Sequence, residues 1–263
     1  MKKIIFLVIG IIFIVGCQST KPINTKSIKS QQKIAPEIIA KHYDLQSFDS
    51  LVVSDNAKVE LINGTYGLDI TGIQKNNYNY PKMITNRTLY INSAINENAN
   101  TLIKISAPGL KKITVANNAI VSAQDLKTSG LTITAKDNGS INLKGQFNIE
   151  KIYQYGHGKI DIDWVDTAFL VVEGSNGGPI YLGGKVNNLL AKLTKDAKLH
   201  ARYLRTKKAY VFTTDQALAE VLVLNTLGAF AVDNSSIYYY KRLKDITIVT
   251  KDNGNVLYPH WVK

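Results

Sequence analysis

Three carboxylates, Asp161, Asp163 and Asp166, stand close together in the chain, and Lys144 precedes them by about one repeat length. Clustered carboxylates can hold calcium, and a lysine beside them can act as a base. Asp161 and Asp163 alternate, so on a strand they share its outward face. Lys144 is expected to stack one coil away from Asp163. The same residues also read as a charged surface ladder, with Lys144 and Asp163 a solvated pair contributing at most about 1 kcal/mol. The remaining inventory is thin. His42, His157, His200 and His260 are scattered and do not fall at metal-ligand spacing. His157 lies in a turn, where exposure to solvent is expected. There is no nucleophile elbow and no phosphate-cradling glycine loop before a helix. No catalytic residue, metal or cofactor is assigned.

Binding chemistry is better represented. Tyr181, His200, Arg202, Tyr238 and Tyr240 fall at alternate outward positions of successive repeats. Tyrosine and arginine stack well on sugar rings or on a partner's aromatic groups, and both are enriched in binding hot spots. Glu220, Leu222 and Gly183 share that face, so it is mixed, and ordinary cross-strand aromatic packing is the alternative. A second feature is apolar. Val171, Leu190, Tyr210, Phe212, Phe230 and Val249 recur four or six residues before each turn centre, facing outward if the intervening residues face the core. A row this long should not stay wet. Either N-terminal strands or a loop cover it, or it is a dimer or partner interface.

The elements that position these residues come from a repeat. Eight tripeptides mark it: Asn117-Asn118-Ala119, Asp137-Asn138-Gly139, Gly156-His157-Gly158, Asn176-Gly177-Gly178, Lys195-Asp196-Ala197, Asp215-Gln216-Ala217, Asp233-Asn234-Ser235 and Asp252-Asn253-Gly254. Their centres step by 20, 19, 20, 19, 20, 18 and 19 residues. A constant period of this size marks a stacked-coil architecture. Asn, Asp and Gly tolerate left-handed backbone and make tight corners. Apolar columns flank the corners. One runs Ile113, Ile133, Ile152, Val172, Ala191, Val211, Ala229 and Ile248; another runs Val121, Ile141, Ile160, Ile180, Leu199, Ala219, Ile237 and Val256. A third follows two residues on, from Ala123 and Leu143 to Tyr239 and Tyr258, and a fourth comprises Leu126, Phe147, Val165, Val186, Leu204, Leu224, Leu243 and Val262. In-register columns favour coils stacked about 4.8 Å apart with like strands parallel. One coil cannot bury its own apolar face; stacking makes a continuous core.

The chain has 263 residues and a formal net charge of +12. Met1-Lys2-Lys3 is a basic start, followed by an apolar run from Ile4 to Val15 that is too short to span a bilayer and suits a secretory signal. Ile14-Val15-Gly16-Cys17 resembles a bacterial lipoprotein lipobox. The resemblance implies cleavage after residue 16 and lipidation of Cys17, the only cysteine. Acyl chains contribute about 0.8 kcal/mol per buried CH₂, so two or three make a stable membrane anchor. Gln18 rather than Asp follows, and by the same resemblance outer-membrane sorting is expected in a Gram-negative host. Without residues 1–16 the chain keeps 30 Lys and Arg against 20 Asp and Glu, a net of +10. Such an excess can attract anionic lipids or polysaccharides, or simply aid solubility. No dense Lys/Arg block or reader motif points to nucleic acid.

Residues 17–41 are polar, contain Pro22 and Pro36, and read as a flexible tether; residues 42–263 read as the head domain. Phe48-Asp49-Ser50-Leu51-Val52-Val53, Asp55-Asn56-Ala57 and Lys58-Val59-Glu60-Leu61 repeat the strand, corner, strand design. Further strands are expected at Leu68–Ile70, Leu89–Ile91 and Ile103–Ile105, with polar loops at 74–81 and 92–100, and no long amphipathic helix is seen. The opening hexapeptide, Ala57–Leu61, the segment Ile103–Leu110 and the later coils resemble the GIN head domain of bacterial auto-transporter adhesins. The resemblance covers roughly residues 48–260 and implies an all-β, right-handed parallel β-helix with about 19–20 residues per coil. Lys195-Asp196-Ala197 and Asp215-Gln216-Ala217 depart from its usual glycine-rich turns.

The leading expectation is therefore a non-catalytic, membrane-anchored envelope lipoprotein whose rigid coil offers the Tyr/Arg face to a glycan or envelope protein. A scaffold that forms homo-oligomers through the apolar row is the structural alternative. A polysaccharide-processing β-helix is the enzymatic one, because the Asp cluster with a nearby base is similar to that of β-helical lyases. Tyr258-Pro259-His260-Trp261 is expected to cap the C-terminal end, with Pro259 blocking further strand pairing.

Overall fold

The computed structural model describes residues 39–72, 84–92 and 101–259, all within one compact unit spanning 36–263. Residues 1–38, with Cys17, all of the loop at 74–81, most of the loop at 92–100, and residues 260–263, with His260, Trp261 and Val262, lie outside the described residues. Every regular element described is a strand. The architecture is the expected β-solenoid.

The alternating pattern explains the strands. In β8 (Lys112–Val115), β10 (Leu131–Asp137) and β12 (Ile149–Gly156), the first apolar column points inward and is fully buried at Ile113, Ile133 and Ile152. It continues in register, Ile113 beside Ile133, Ile152, Val172, Ala191, Val211, Ala229 and Ile248. The second column runs from Val121 in β9 (Ile120–Gln124) through Ile141 in β11 (Ser140–Phe147), then Ile160, Ile180, Leu199, Ala219, Ile237 and Val256. From β13 (Ile160–Ser175) through β14 (Pro179–Thr194), β15 (Lys198–Thr213) and β16 (Leu218–Ala231), two strands of a coil run together as one continuous element. The last coils end with β17 (Ser236–Tyr239), β18 (Asp245–Thr250) and β19 (Asn255–Leu257).

The corners are left-handed at the first residue of seven tripeptides, with φ between 53° and 75° at Asn117, Asp137, Asn176, Lys195, Asp215, Asp233 and Asp252. Short polar side chains tolerate this geometry because they bond locally. Here they bond between coils: Asp137 Oδ2 accepts from Asn117 N at 3.3 Å, Asp215 Oδ2 from Lys195 N at 2.8 Å, and Asp233 Oδ2 from Asp215 N at 3.3 Å. Each carboxylate satisfies a backbone donor of the preceding corner.

Chain order and stacking order diverge at the N-terminal end. The coil formed by β2 (Ser50–Val53) and β3 (Lys58–Ile62) lies between two others. On one side are β8 and β9; on the other are β6 (Thr88–Ile91) and β7 (Leu102–Ser106). Asn118 Nδ2 donates to Asn56 Oδ1 at 3.2 Å and Asn138 Nδ2 to Asn118 Oδ1 at 3.0 Å, an amide ladder across this junction. The free side of β7 is covered by antiparallel β4 (Gly67–Gly72), which pairs with β1 (Ile39–Asp44); β5 (Ile84–Thr85) pairs with β6. Ile39–Lys41, placed in the tether by composition, are thus strand, because β4 supplies the pairing that composition does not reveal.

Two further expectations change. The fourth apolar column breaks: Leu204 pairs with Gly184, whereas Val186 aligns with buried Thr206 and then Val223, leaving Leu224 partly exposed. Register shifts concentrate along this stretch of the coil, so no single sequence position tracks it. Lys144 does not stack on Asp163 either. Leu143 pairs with Ile162 and Gln146 with Trp164, so two residues of β11 oppose Asp163 at a bulge, and Gly145 takes φ 101° there.

Candidate functional site

The same line of bulges builds a groove. Tyr181 pairs with His200, but Gly183 pairs with Tyr203, and between β15 and β16 the register jumps from Ala201 to Arg205. Arg202, Tyr203 and Leu204 therefore gain no partners on β16. Simple alternation would turn Tyr203 inward beside Ala201; the bulge leaves it 70% exposed. Gly183 shapes the floor, since a Cβ there would lie 2.3 Å from the carbonyl oxygen of Asp163. The resulting open groove, of about 650 Å³, is lined by Asp161, Asp163, Tyr181, His200, Arg202, Tyr203 and Glu220 among others.

The rings inside it are ordered. Tyr181 and His200 stack face to face with centroids 4.7 Å apart and planes at 14°. Lys159 Nζ sits 5.0 Å from the Tyr181 centroid and 2.5 Å from Asp161 Oδ2. The Asp161 carboxylate raises the Lys159 pKa. Arg202 lies 5.0 Å over the ring of Tyr203, an arrangement in which the guanidinium stays solvated while its charge meets the ring face.

Glu220 organises the far wall. His200 Nδ1 donates to Glu220 Oε2 at 2.5 Å, and the Tyr240 hydroxyl donates to Oε1 at 2.7 Å. Burial alone would raise the Glu220 pKa, but these bonds and the Arg202 charge outweigh it and hold the carboxyl below its ordinary value. For Tyr240, burial and the bond to Glu220 push the phenol up to about 12.

Of the predicted binding residues, Tyr181, His200 and Arg202 line the groove. Tyr240 reaches it through Glu220, and Tyr238 pairs with Glu220 on the next coil, half-buried and outside the lining. Tyr203 and Lys159 escaped sequence reasoning; only the bulge exposes the first, and the second sits just after a corner. The carboxylates considered for catalysis are separated by their partners. Asp161 is engaged by Lys159, while Asp166 lies 3.2 Å from Lys185 Nζ and accepts from Gln146 Nε2 at 3.0 Å. Among the described residues no ion pair joins Lys144 to Asp163, and no group of three His, Cys, Asp or Glu side chains is placed to hold a metal. His157 is exposed, as its corner suggests.

The apolar row faces outward as two ladders. Val171, Leu190 and Tyr210 form one, and Phe212, Phe230 and Val249 the other. Phe212 and Phe230 stack at 4.6 Å with planes at 6°. Tyr210, Phe212 and Val249 are 52%, 38% and 47% exposed. The described N-terminal strands pair with one another and with β8 and β9, at the other end of the stack, and do not cover this row.

Solved structures share the fold. A putative lipid binding protein from Parabacteroides distasonis superposes with TM-score 0.69 at 17% identity, covering 84% of this chain and 96% of its own. A putative adhesin from Parabacteroides merdae gives 0.68 at 19%, covering 84% and 95%, and a putative adhesin from Parabacteroides distasonis gives 0.70 at 16%, covering 84% and 96%. No curated protein matches the sequence. The sequence profile of the family described as putative auto-transporter adhesin, head GIN domain, matches residues 47–242. That match takes in the interposed coil, the bulges and both walls of the groove, and the chain belongs to this family.

Proposed function

We propose that this protein is a lipid-anchored envelope adhesin that binds a glycan, without catalysis, in the Tyr181–Tyr203 groove. One observation carries the reading: Tyr203 is 70% exposed at the lip of a groove whose wall is the stacked pair Tyr181 and His200. Two ring platforms beside a cation suit a sugar, whose C–H faces stack and whose hydroxyls bond to Arg202 and the carboxylates. His200, Glu220 and Tyr240 are fixed by cross-strand bonds before a ligand arrives, which lowers the ordering cost of binding. Adhesin-type family membership supports an envelope or extracellular address. Anchoring through Cys17, and sorting to the outer membrane with Gln18 at the following position, complete the proposal.

Glycan-array screening followed by calorimetry tests it. Tyr203→Ala is expected to abolish binding of the sugar found while leaving the melting temperature unchanged. Equal affinity of wild type and variant, or no sugar bound at all, would remove the groove from consideration. Metabolic labelling with a fatty acid tests the anchor, since Cys17→Ser should lose the label.

A further inference from the structure

Opposite in character to the groove is the face that carries the two apolar ladders. Its strands meet without a register shift from Lys151 beside Val171 to Phe230 beside Val249. The shifts that build the groove fall elsewhere in the same strands, or, between Thr206 and Lys208, at this face's margin. A bulge-free parallel sheet presents its outward side chains as a flat, regular array. The array is apolar and aromatic at its centre, through Tyr210, Phe212, Phe230 and Val249. Phe169, 50% exposed, and Tyr155, 42% exposed, extend it toward the N-terminal coils. Gly228 helps: a Cβ there would come within 2.8 Å of Tyr210 Cδ1, so its absence lets that ring lie across the neighbouring strand.

Lysines are interleaved with these rings. Lys151 pairs with Val171, Lys192 with Phe212, and Lys208 with Asn188 and Thr226, while Lys251 follows β18. All four are exposed, and none belongs to an ion pair among the described residues. The carboxylates of the face are Glu150, Glu173 and Asp245. Glu173 accepts from the Tyr155 hydroxyl at 3.4 Å and Asp245 from Thr226 Oγ1 at 2.7 Å. Both bonds come from neutral hydroxyls, so the face carries four lysines against three carboxylates, and Lys192 stands directly beside Phe212.

We infer that this face lies flat against an anionic phospholipid surface. The aromatic rings enter the interfacial layer and the four lysines meet lipid phosphates. Aromatic side chains favour the membrane–water boundary, where an apolar body and a polar tip are both satisfied. Lysine stems lie along apolar surface while their ammonium groups reach the headgroups. Interfacial binding scales with apolar area plus attraction to anionic lipid, and this face offers both. The groove differs: Lys159 is held by Asp161, and Arg202 shares the lining with Asp161, Asp163 and Glu220, so its charge is predominantly acidic. The inference goes beyond the glycan reading and does not depend on it.

The test uses the full lipidated chain on vesicles of phosphatidylethanolamine with or without phosphatidylglycerol. Lipidation blocks Cys17, so one environment-sensitive probe can be placed at Val249→Cys or, as reference, at Tyr203→Cys. On anionic vesicles the Val249 probe should shift to the blue. A spin-labelled lipid should quench it severalfold more than the Tyr203 probe. Neutral vesicles, high salt, or the added pair Lys192→Glu and Lys208→Glu should bring it down to the reference level. Equal quenching at both sites overturns the inference. So does a blue shift that grows with protein concentration and ignores lipid, which assigns the face to a second copy. If the chain fails to float with neutral vesicles, the anchor reading falls. Flotation with anionic vesicles, lost on lysine reversal, then still supports the inference, and its absence overturns it.

Discussion

The imidazole of His200 lies flat on the ring of Tyr181, 4.7 Å away, while its Nδ1 donates to Glu220 at 2.5 Å. One ring therefore couples the stacking wall of the groove to a half-buried carboxylate, and through that carboxylate to Tyr240. The groove and the last full coil are parts of one bonded array.

That coupling sets a pH dependence with a definite sign. The Glu220 pKa is depressed in the folded protein, so its contribution is full above the ordinary carboxylate range and is lost as pH falls through the folded value. The Tyr240 pKa is raised to about 12, so its contribution is full below its unfolded value near 10 and is lost as pH climbs through about 12. Glu220→Gln should flatten the acid limb of a stability profile measured by urea unfolding and cost about 1 kcal/mol at neutral pH. Tyr240→Phe should remove the last component of an ultraviolet phenolate titration. If that component remains, the raised phenol is another residue.

Gly183→Ala should damage groove and fold together. Its Cβ would approach the Asp163 carbonyl oxygen to 2.3 Å, and backbone cannot swing aside as a side chain can. Overpacking of this kind costs about 1–3 kcal/mol. Denaturant unfolding measures it, and an unchanged midpoint would mean that the strands relax apart at the bulge.

Rungs and corners should respond oppositely. Ile133 is fully buried between Ile113 and Ile152, and Ile133→Ala should cost about 2–5 kcal/mol. Lys195 holds φ 58° without the local bonding an Asn side chain offers, and its Nζ contact with Asn176 Oδ1 at 3.1 Å is exposed. Left-handed backbone costs an ordinary residue about 1–2 kcal/mol. Lys195→Asn should therefore raise the unfolding midpoint.

The interposed coil can be locked covalently. Val52 pairs with both Tyr90 and Thr114. Parallel neighbours stand about 4.8 Å apart, within the span of a disulfide. Val52→Cys with Thr114→Cys should crosslink on oxidation, giving a gel shift under non-reducing conditions. Val52→Cys with Thr134→Cys, two coils apart, should not. A crosslink between Tyr90→Cys and Thr114→Cys, with none between Val52→Cys and Thr114→Cys, would restore a simple sequential stack.

Much of this was legible in the chain because its information is periodic. Six of the seven left-handed corners, all but Lys195, and two columns buried up to the last coil, where Ile248 is exposed, follow from residue type and spacing, since a strand alternates its faces and Asn, Asp and Gly favour corners. The outward direction of Tyr181, His200 and the apolar ladders follows from the same parity. Parity fails wherever a bulge adds a residue. Tyr203, the separation of Lys144 from Asp163, and the broken fourth column all trace to register shifts, which depend on how two strands meet and not on either alone.

The amino-acid sequence by itself determined the coil, its period, its core rungs and its corners, because those rest on interactions between residues at constant separation. Tertiary structure alone decided which coil lies beneath which, where the groove opens, and which carboxylate meets which cation. Those depend on contacts such as Asn56 with Asn118 and Tyr181 with His200, where each side chain is fixed by the register of a neighbouring strand.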